Sequence, residues 1–243
     1  MPDIVLLAAA TLAAGFLRGV TGFGFALAAV PLYSLSVPPL QAVILAQMLQ
    51  IAAAPVDILQ TRRHVEWRTL GMLCAGALIC TPIGTLIALR LPVEVLRLAI
   101  AGVVLLGLVA LWARFRVSEG RGPAMVAGAM AGLLGGLAAM RGPPAVAYFL
   151  GRGVDKRISR ASLLIFFAFT ACVALSSLSL ASDVLTSDLL LHAAIAWPLM
   201  ILGTWGGTRL FERMGEGHYR SAAIGVLFLS AILTGAKGLA GLL

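Results

Sequence analysis

Apolar runs, each long enough to cross a bilayer, succeed one another from residue 4 to residue 242 with only short charged or proline-containing connections. Hydropathy separates eight of them, roughly 4–36, 39–60, 69–89, 93–113, 123–150, 159–181, 188–210 and 220–242. A spanning helix needs about 20 apolar residues, so eight take roughly 160 and leave no room for a soluble catalytic or binding domain. With 60% of its 243 residues hydrophobic and 12% charged, the chain reads as an all-α polytopic membrane protein with a single membrane domain over 1–243. The first and fifth runs are too long for one simple span. Each is interrupted by glycines and carries one arginine, Arg18 or Arg141.

The chain also resembles itself. A shift of 113 places Gly15, Gly19, Gly22, Ala26 and Pro31 on Gly128, Gly132, Gly135, Ala139 and Pro144. A shift of 123 places Thr81, Gly84, Thr85, Arg90, Arg97, Ala99, Gly102, Val103 and Leu106 on Thr204, Gly207, Thr208, Arg213, Arg220, Ala222, Gly225, Val226 and Leu229, nine identities in a 26-residue window. Shared apolar composition does not account for that many. Two four-segment repeats follow, 1–117 and 118–243.

The net charge of +8 does not point to nucleic acid, because the basic residues cluster between apolar runs, where cytoplasmic loops collect them. If all eight segments span, loop Lys and Arg divide 6 against 9, which decides little. If segments 1 and 5 instead enter and leave on one side, Arg62, Arg63, Arg68, Arg114, Arg116, Arg121, Arg152, Lys156, Arg157, Arg160, Arg209, Arg213 and Arg220 share a face. Arg90, Arg97 and Lys237 keep the other, a division of 13 against 3. That arrangement obeys the positive-inside rule and makes the repeats inverted, with segments 1 and 5 broken or re-entrant.

Each interior glycine of Gly15–Gly24 weakens a helix by about 1 kcal/mol relative to Ala, so the cluster should unwind locally. Unwound backbone is tolerated at bilayer depth only where protein or a polar cavity surrounds it. A half-helix starting there aims unpaired N–H groups and a positive dipole end at an anion. The other use of such glycines is close packing, for which Gly15/Gly19 and Gly128/Gly132 have the small-xxx-small spacing. Arg18 and Arg141 are costly at bilayer depth and need a partner or a wet cavity. Under the shift of 113 they are not equivalents, since Arg18 falls on Ala131 and Arg141 on Ala28. The candidate anion-binding residues are therefore Arg18, Gly19, Thr21, Gly22, Gly24, Gln47, Gly132, Gly135, Gly136 and Arg141. Asp57 has two readings, an interfacial ion pair beside Arg62 and Arg63 and a coupling residue that exchanges a proton.

Thr81, Thr85, Thr204 and Thr208 add neutral donors, which more often bond neighbouring helices. Cys74, Cys80 and Cys172 lie in apolar runs without CxxC spacing and read as small core hydrophobes. His64, His192 and His218 lack ligand spacing, so neither a metal nor a cofactor is expected. Trp67, Trp112, Trp197 and Trp205 lie at or near segment ends, where lipid headgroups are the ordinary partner. No HExxH, GxSxG, Walker motif or intramembrane carboxylate pair is present, so no enzyme is expected and any transport is secondary or channel-like.

The duplicated glycine-proline motif (Gly15, Gly19, Gly22, Gly24, Pro31; Gly128, Gly132, Gly135, Gly136, Pro144), the T-x2-G-T repeat and the eight-segment layout together resemble the TauE/SafE family of sulfite exporters and related anion permeases over essentially the whole chain. Phe23 and Phe25 flank Gly24 where family members often carry a run of glycines. The resemblance implies transport of sulfite, sulfonates or other small organic anions across a bacterial inner membrane, coupled to protons. A carboxylate permease of the same fold and a non-transporting membrane assembly protein or receptor remain as alternatives. Whether the protein acts as a monomer or a homodimer stays open.

Overall fold

A computed structural model describes residues 4–96, 98, 99, 102, 109, 117–182, 185–213 and 225. Every regular element among them is helical: α1 (Ile4–Thr21), α2 (Phe25–Tyr33), α3 (Pro39–Thr61) with a 3-10 turn at Arg62–His64, α4 (Trp67–Arg90), α5 (Arg121–Ala138), α6 (Gly142–Arg152), α7 (Lys156–Ala181) and α8 (Ser187–Arg213). Five of these, α1, α3 with its turn, α4, α7 and α8, are long and apolar enough to cross a membrane. Most of the fourth hydropathy segment and nearly all of the eighth, with Arg97, Trp112, Arg114, Arg116, His218, Arg220 and Lys237, lie outside the described residues.

Segments 1 and 5 are both broken. The first opens at Gly22–Gly24, where Gly22 and Gly24 take φ of 75° and 91°, backbone that an L side chain rarely adopts. The second opens at Ala139–Arg141, where Ala139 takes φ of 57° without being a glycine. Its helix restarts on Gly142-Pro143-Pro144. Proline suits a first turn, whose N–H groups have no helical acceptor.

Both segments also turn back. Thr11 and Tyr33 stand 22 residues apart and a straight helix would separate them by roughly 33 Å, yet their hydroxyls share a 2.7 Å hydrogen bond. The amide of Val117, ahead of α5, donates to the carbonyl of Gly151 in the last turn of α6 at 3.2 Å. Thus α2 lies back along α1 and α6 back along α5.

Glycines make the closest helix contacts. A Cβ on Gly15 would stand 2.7 Å from the Met200 carbonyl oxygen, and Gly19 lies against Thr204, Gly207 and Thr208, so α1 and α8 run parallel. A Cβ on Gly132 would stand 2.8 Å from Ala77 Cα, while Gly128 and Gly136 lie against Leu73 and Thr81, so α5 and α4 run parallel too. Small residues permit such approach, and packing replaces the hydrophobic effect as the force between helices in lipid.

The helices follow an interval different from that of the glycine motif. α5 begins at 121, 117 residues after α1 at 4; α6 at 142 follows α2 at 25 by the same interval, as does α7 at 156 after α3 at 39. Gly132 therefore takes the place of Gly15, Gly136 that of Gly19 and Ala139 that of Gly22, one helical turn beyond the motif alignment at 113. Only α4 and α8 keep the interval of 123, since Gly84 lies against Leu133 and Leu137 as Gly207 lies against Phe16 and Val20.

The basic ends gather. Arg152 Nη1 and Nη2 donate to Glu66 at 3.0 and 3.1 Å, and Nη2 also lies 3.1 Å from Glu119. The Glu66 amide donates to Ser162 of α7 at 3.2 Å. The C-terminal ends of α3 and α8 thereby meet the N-terminal end of α7 around one cavity. Loops 62–68, 117–121 and 152–160 thus share one end of the bundle, and α3 runs antiparallel to α7. Burial opposes ionisation of Glu66, but hydrogen bonds from Arg152 and Thr69 outweigh it and hold its carboxyl below the usual range. The long helices turn Leu78, Ile79, Ile83, Leu86, Ile87, Leu190, Leu191, Leu202, Trp67 and Trp205 outward, a surface suited to lipid. Cys172 is exposed on α7, contrary to a core role, while Cys74 and Cys80 are half-buried; all three are free.

Candidate functional site

The two helix breaks face each other across the middle of the bundle. Gly22, Phe23, Gly24, Phe25, Ala26 and Leu27 from the first, and Ala139, Met140, Arg141 and Gly142 from the second, line one cavity of about 20 Å3. That is room for a water-sized occupant. Arg18 and Gln50 border it, and Leu164, Phe167 and Ala168 of α7 form its apolar wall.

The arginines serve the cavity differently. Arg18, 4% exposed, pairs through Nη2 with the Asp57 carboxylate, itself 5% exposed, and reaches Thr204 Oγ1 from Nη1 at 3.4 Å. Asp57 is therefore not an interfacial partner of Arg62 and Arg63, which are exposed beyond it. It is a buried counter-charge that α3 carries to the end of α1.

Arg141 is 1% exposed, and no carboxylate among the described residues is paired with it. Its Nη1 donates to the Phe167 carbonyl at 2.6 Å, its Nη2 to Gln47 Oε1, and its Nε has no partner. Gln47 is itself held by donating from Nε2 to the Gly135 carbonyl at 3.0 Å. A Cβ on Gly135 would stand 3.1 Å from Arg141 Cβ. By the interval of 117, Gly135 is the counterpart of Arg18 and Gly24 that of Arg141. The bare position in the second half therefore makes room for the arginine that follows it.

The half-helix ends differ as well. α2 makes its first helical bond from Ala28 N to Gly24 O at 3.0 Å. The amides of Phe25, Ala26 and Leu27 thus have no helical acceptor, and all three residues border the cavity. In α6, Pro143 and Pro144 have no such donors, and the Arg141 guanidinium supplies positive charge instead.

Of the residues expected at an anion site, Arg18, Gly22, Gly24 and Arg141 line the cavity; Gly19, Thr21, Gln47, Gly132, Gly135 and Gly136 do not. Gly19, Gly132 and Gly136 seat helices. Thr21 ties the first break down: its hydroxyl donates to Leu17 O at 2.8 Å and bonds Phe23 O. Gln47 and Gly135 position Arg141. Gln50 was missed, although it stands one turn from Gln47 in the same apolar run. Phe167 and Leu164 carry no signal of a site, since only the fold brings α7 there. Thr204 and Thr208 bond Arg18 and Arg160, whereas Thr81 and Thr85, their equivalents, are buried without a hydrogen-bond partner.

Apolar helices in a multi-pass arrangement, broken twice around a buried guanidinium, define a membrane protein whose polar chemistry lies at the centre of its bundle. The family described as sulfite exporter TauE/SafE matches residues 7–234, and the chain belongs to it. No curated protein and no solved structure matches the chain.

Proposed function

We propose that the protein is a secondary transporter of small sulfur-containing oxyanions, sulfite or sulfonates, in a bacterial inner membrane. The observation that carries this reading is Arg141: a guanidinium buried at the bundle centre with no acid paired to it among the described residues and its Nε–H without a partner, facing the same cavity as the amides that open α2. Burying a charge without a counter-charge costs several kcal/mol, and an anion would recover it. The guanidinium fork and helix amides are donors only, which suits an oxyanion. Phe23, Phe25 and Phe167 keep bulk water from it.

In this reading residues 1–117 and 118–243 are inverted repeats. Support comes from the two folded-back segments, from the antiparallel course of α3 and α7, and from the gathering of basic ends on one side, which the positive-inside rule makes cytoplasmic. Asp57 is the coupling candidate. On taking a proton its carboxyl no longer neutralises Arg18, and the guanidinium is released toward the cavity it borders. Gln47, Gly135 and Thr21 act by holding Arg141 and the first break in place.

Uptake of labelled sulfite into proteoliposomes under a proton gradient tests the reading, with calorimetric titration of sulfite, taurine, sulfoacetate and short carboxylates on purified protein. Sulfite flux above that of empty liposomes, abolished by Arg141→Met, is the expected result. Binding confined to carboxylates would replace the substrate class. Neither flux nor binding would turn the protein into an assembly factor or receptor.

A further inference from the structure

A second cavity, of about 400 Å3, opens at the basic end of the bundle, with Lys156, Arg157 and Arg160 of α7, His64 after α3, and Thr208 and Glu212 of α8 in its walls. It shares no lining residue with the central cavity. Three permanent cations against one carboxylate make it a basin that attracts anions.

What separates the two cavities is thin. A Cβ on Gly22 would stand 2.5 Å from Arg160 Cγ and 3.2 Å from Arg160 Cα, so the Arg160 stem lies against one side of the Gly22 backbone. Gly22 itself lines the central cavity. The Arg160 guanidinium is anchored at the end of α1, where Nη2 donates to the Gly19 carbonyl at 3.1 Å and to Thr208 Oγ1 at 2.8 Å, and its face lies 4.8 Å from the Phe211 ring centroid. A helix C-terminal carbonyl is a good acceptor for a cation but a replaceable one, because an arriving oxyanion offers the same guanidinium a stronger charge-assisted bond.

Arg160 has no basic counterpart in α3. By the interval of 117 the place of Arg160 in α7 corresponds to Val43 in α3, which is fully buried. An apolar side chain occupies that place, so the cation is particular to α7.

We propose that the basin is the cytoplasmic port for the anion and that Arg160 is its gate: bonded to Gly19 and Thr208 it closes the wall at Gly22, and exchanging those acceptors for the anion it opens the wall. This rests on the transport reading above, and the test is chosen to fail separately from it. In full-length protein with Cys74, Cys80 and Cys172 replaced by Ala, Ala26→Cys puts a thiol on the central cavity. Its labelling by 2-sulfonatoethyl methanethiosulfonate, a small sulfonate, is timed in inside-out vesicles. Arg160→Ala should speed labelling at least about ten-fold, the loss of two charge-assisted hydrogen bonds that hold the closed state. Thr208→Val, which removes one anchor and keeps the charge, should give a smaller acceleration and guards against a folding defect in the first variant. Lys156→Gln with Arg157→Gln should instead slow labelling several-fold and flatten its dependence on salt. Labelling that is unchanged or slower in both Arg160→Ala and Thr208→Val overturns the gate. Because labelling needs no turnover, that result alongside normal sulfite flux removes the gate alone, whereas a missing flux with accelerated labelling removes the transporter and leaves the port.

Discussion

Replacing each arginine of the central cavity by methionine should have unequal consequences for stability. Met keeps most of the apolar stem and removes the fork and charge. In Arg18→Met the Asp57 carboxylate remains, 5% exposed, with its partner gone. Breaking a buried ion pair from one side costs about 3–5 kcal/mol. In Arg141→Met no paired acid among the described residues is left behind; the Phe167 carbonyl and Gln47 Oε1 lose a donor, at about 1–3 kcal/mol each. Removal of an uncompensated buried charge returns several kcal/mol and offsets that loss. At about 2–4 °C per kcal/mol for a chain of this length, Arg18→Met should lower Tm by roughly 6–20 °C and Arg141→Met by no more than about 3 °C. Thermal unfolding in detergent, followed by tryptophan fluorescence, measures both, and Asp57→Asn placed in the Arg18→Met background should restore most of the loss. Sulfite affinity should fall roughly 10- to 150-fold in Arg141→Met, the worth of one hydrogen bond to a charged group. Equal falls of Tm in the two variants, or unaltered affinity in Arg141→Met, would refute the assignment of one arginine to Asp57 and the other to the anion.

Gly19→Ala would set a methyl 2.9 Å from Gly207 Cα, and Gly136→Ala one 2.7 Å from the Thr85 amide nitrogen. Backbone cannot yield there, so each should cost about 1–3 kcal/mol or more despite a helix-propensity gain of about 1 kcal/mol, read as a lowered Tm. Gly22→Ala should lose about 1–2 kcal/mol because φ is 75°, whereas Ala139→Gly, which relieves the same strain at φ 57°, should leave thermal stability unchanged or raised. The lowered pKa of Glu66 means that its ionised form favours the folded state: the contribution is complete above its unfolded pKa and lost as pH falls through the folded one. Glu66→Gln should therefore cost at most about 1 kcal/mol at neutral pH and nothing once the pH lies below that folded value, measured as the wild-type minus variant Tm across an acid titration.

Apolar length, the interruption of segments 1 and 5 and the presence of an arginine in each were legible in the residues, because hydropathy and glycine clustering are local properties. The register of the duplication was not. Glycines recur every three or four positions, so a slip of one helical turn preserves most matches, and identity set Gly22 on Gly135 where packing sets it on Ala139. The left-handed turn at Ala139 had no glycine to mark it. It caps α5, with the Ala139 amide donating to Gly135 O at 2.9 Å and the Met140 amide to Leu134 O at 3.3 Å. Asp57 looked interfacial from its neighbours Arg62 and Arg63, while its partner lies 39 residues away. Phe167 and Gln50 enter the site only because α7 and α3 cross there, and a linear reading contains no such crossing.

The glycine seams also impose an order of events on synthesis. The first helix closes against α8, and the bond from Arg18 to Thr204 joins residues 186 apart. At about 5–20 residues per second, roughly 10–40 s pass between the emergence of the two partners. Throughout that interval the Gly15–Gly19 face of α1 has only lipid, the translocation machinery or its own α2 against it. The two glycine seams cross the sequence, because α1 packs against α8 and α5 against α4. A chain stopped before α8 would hold an intact hairpin at each break and still lack half of its tightest contacts.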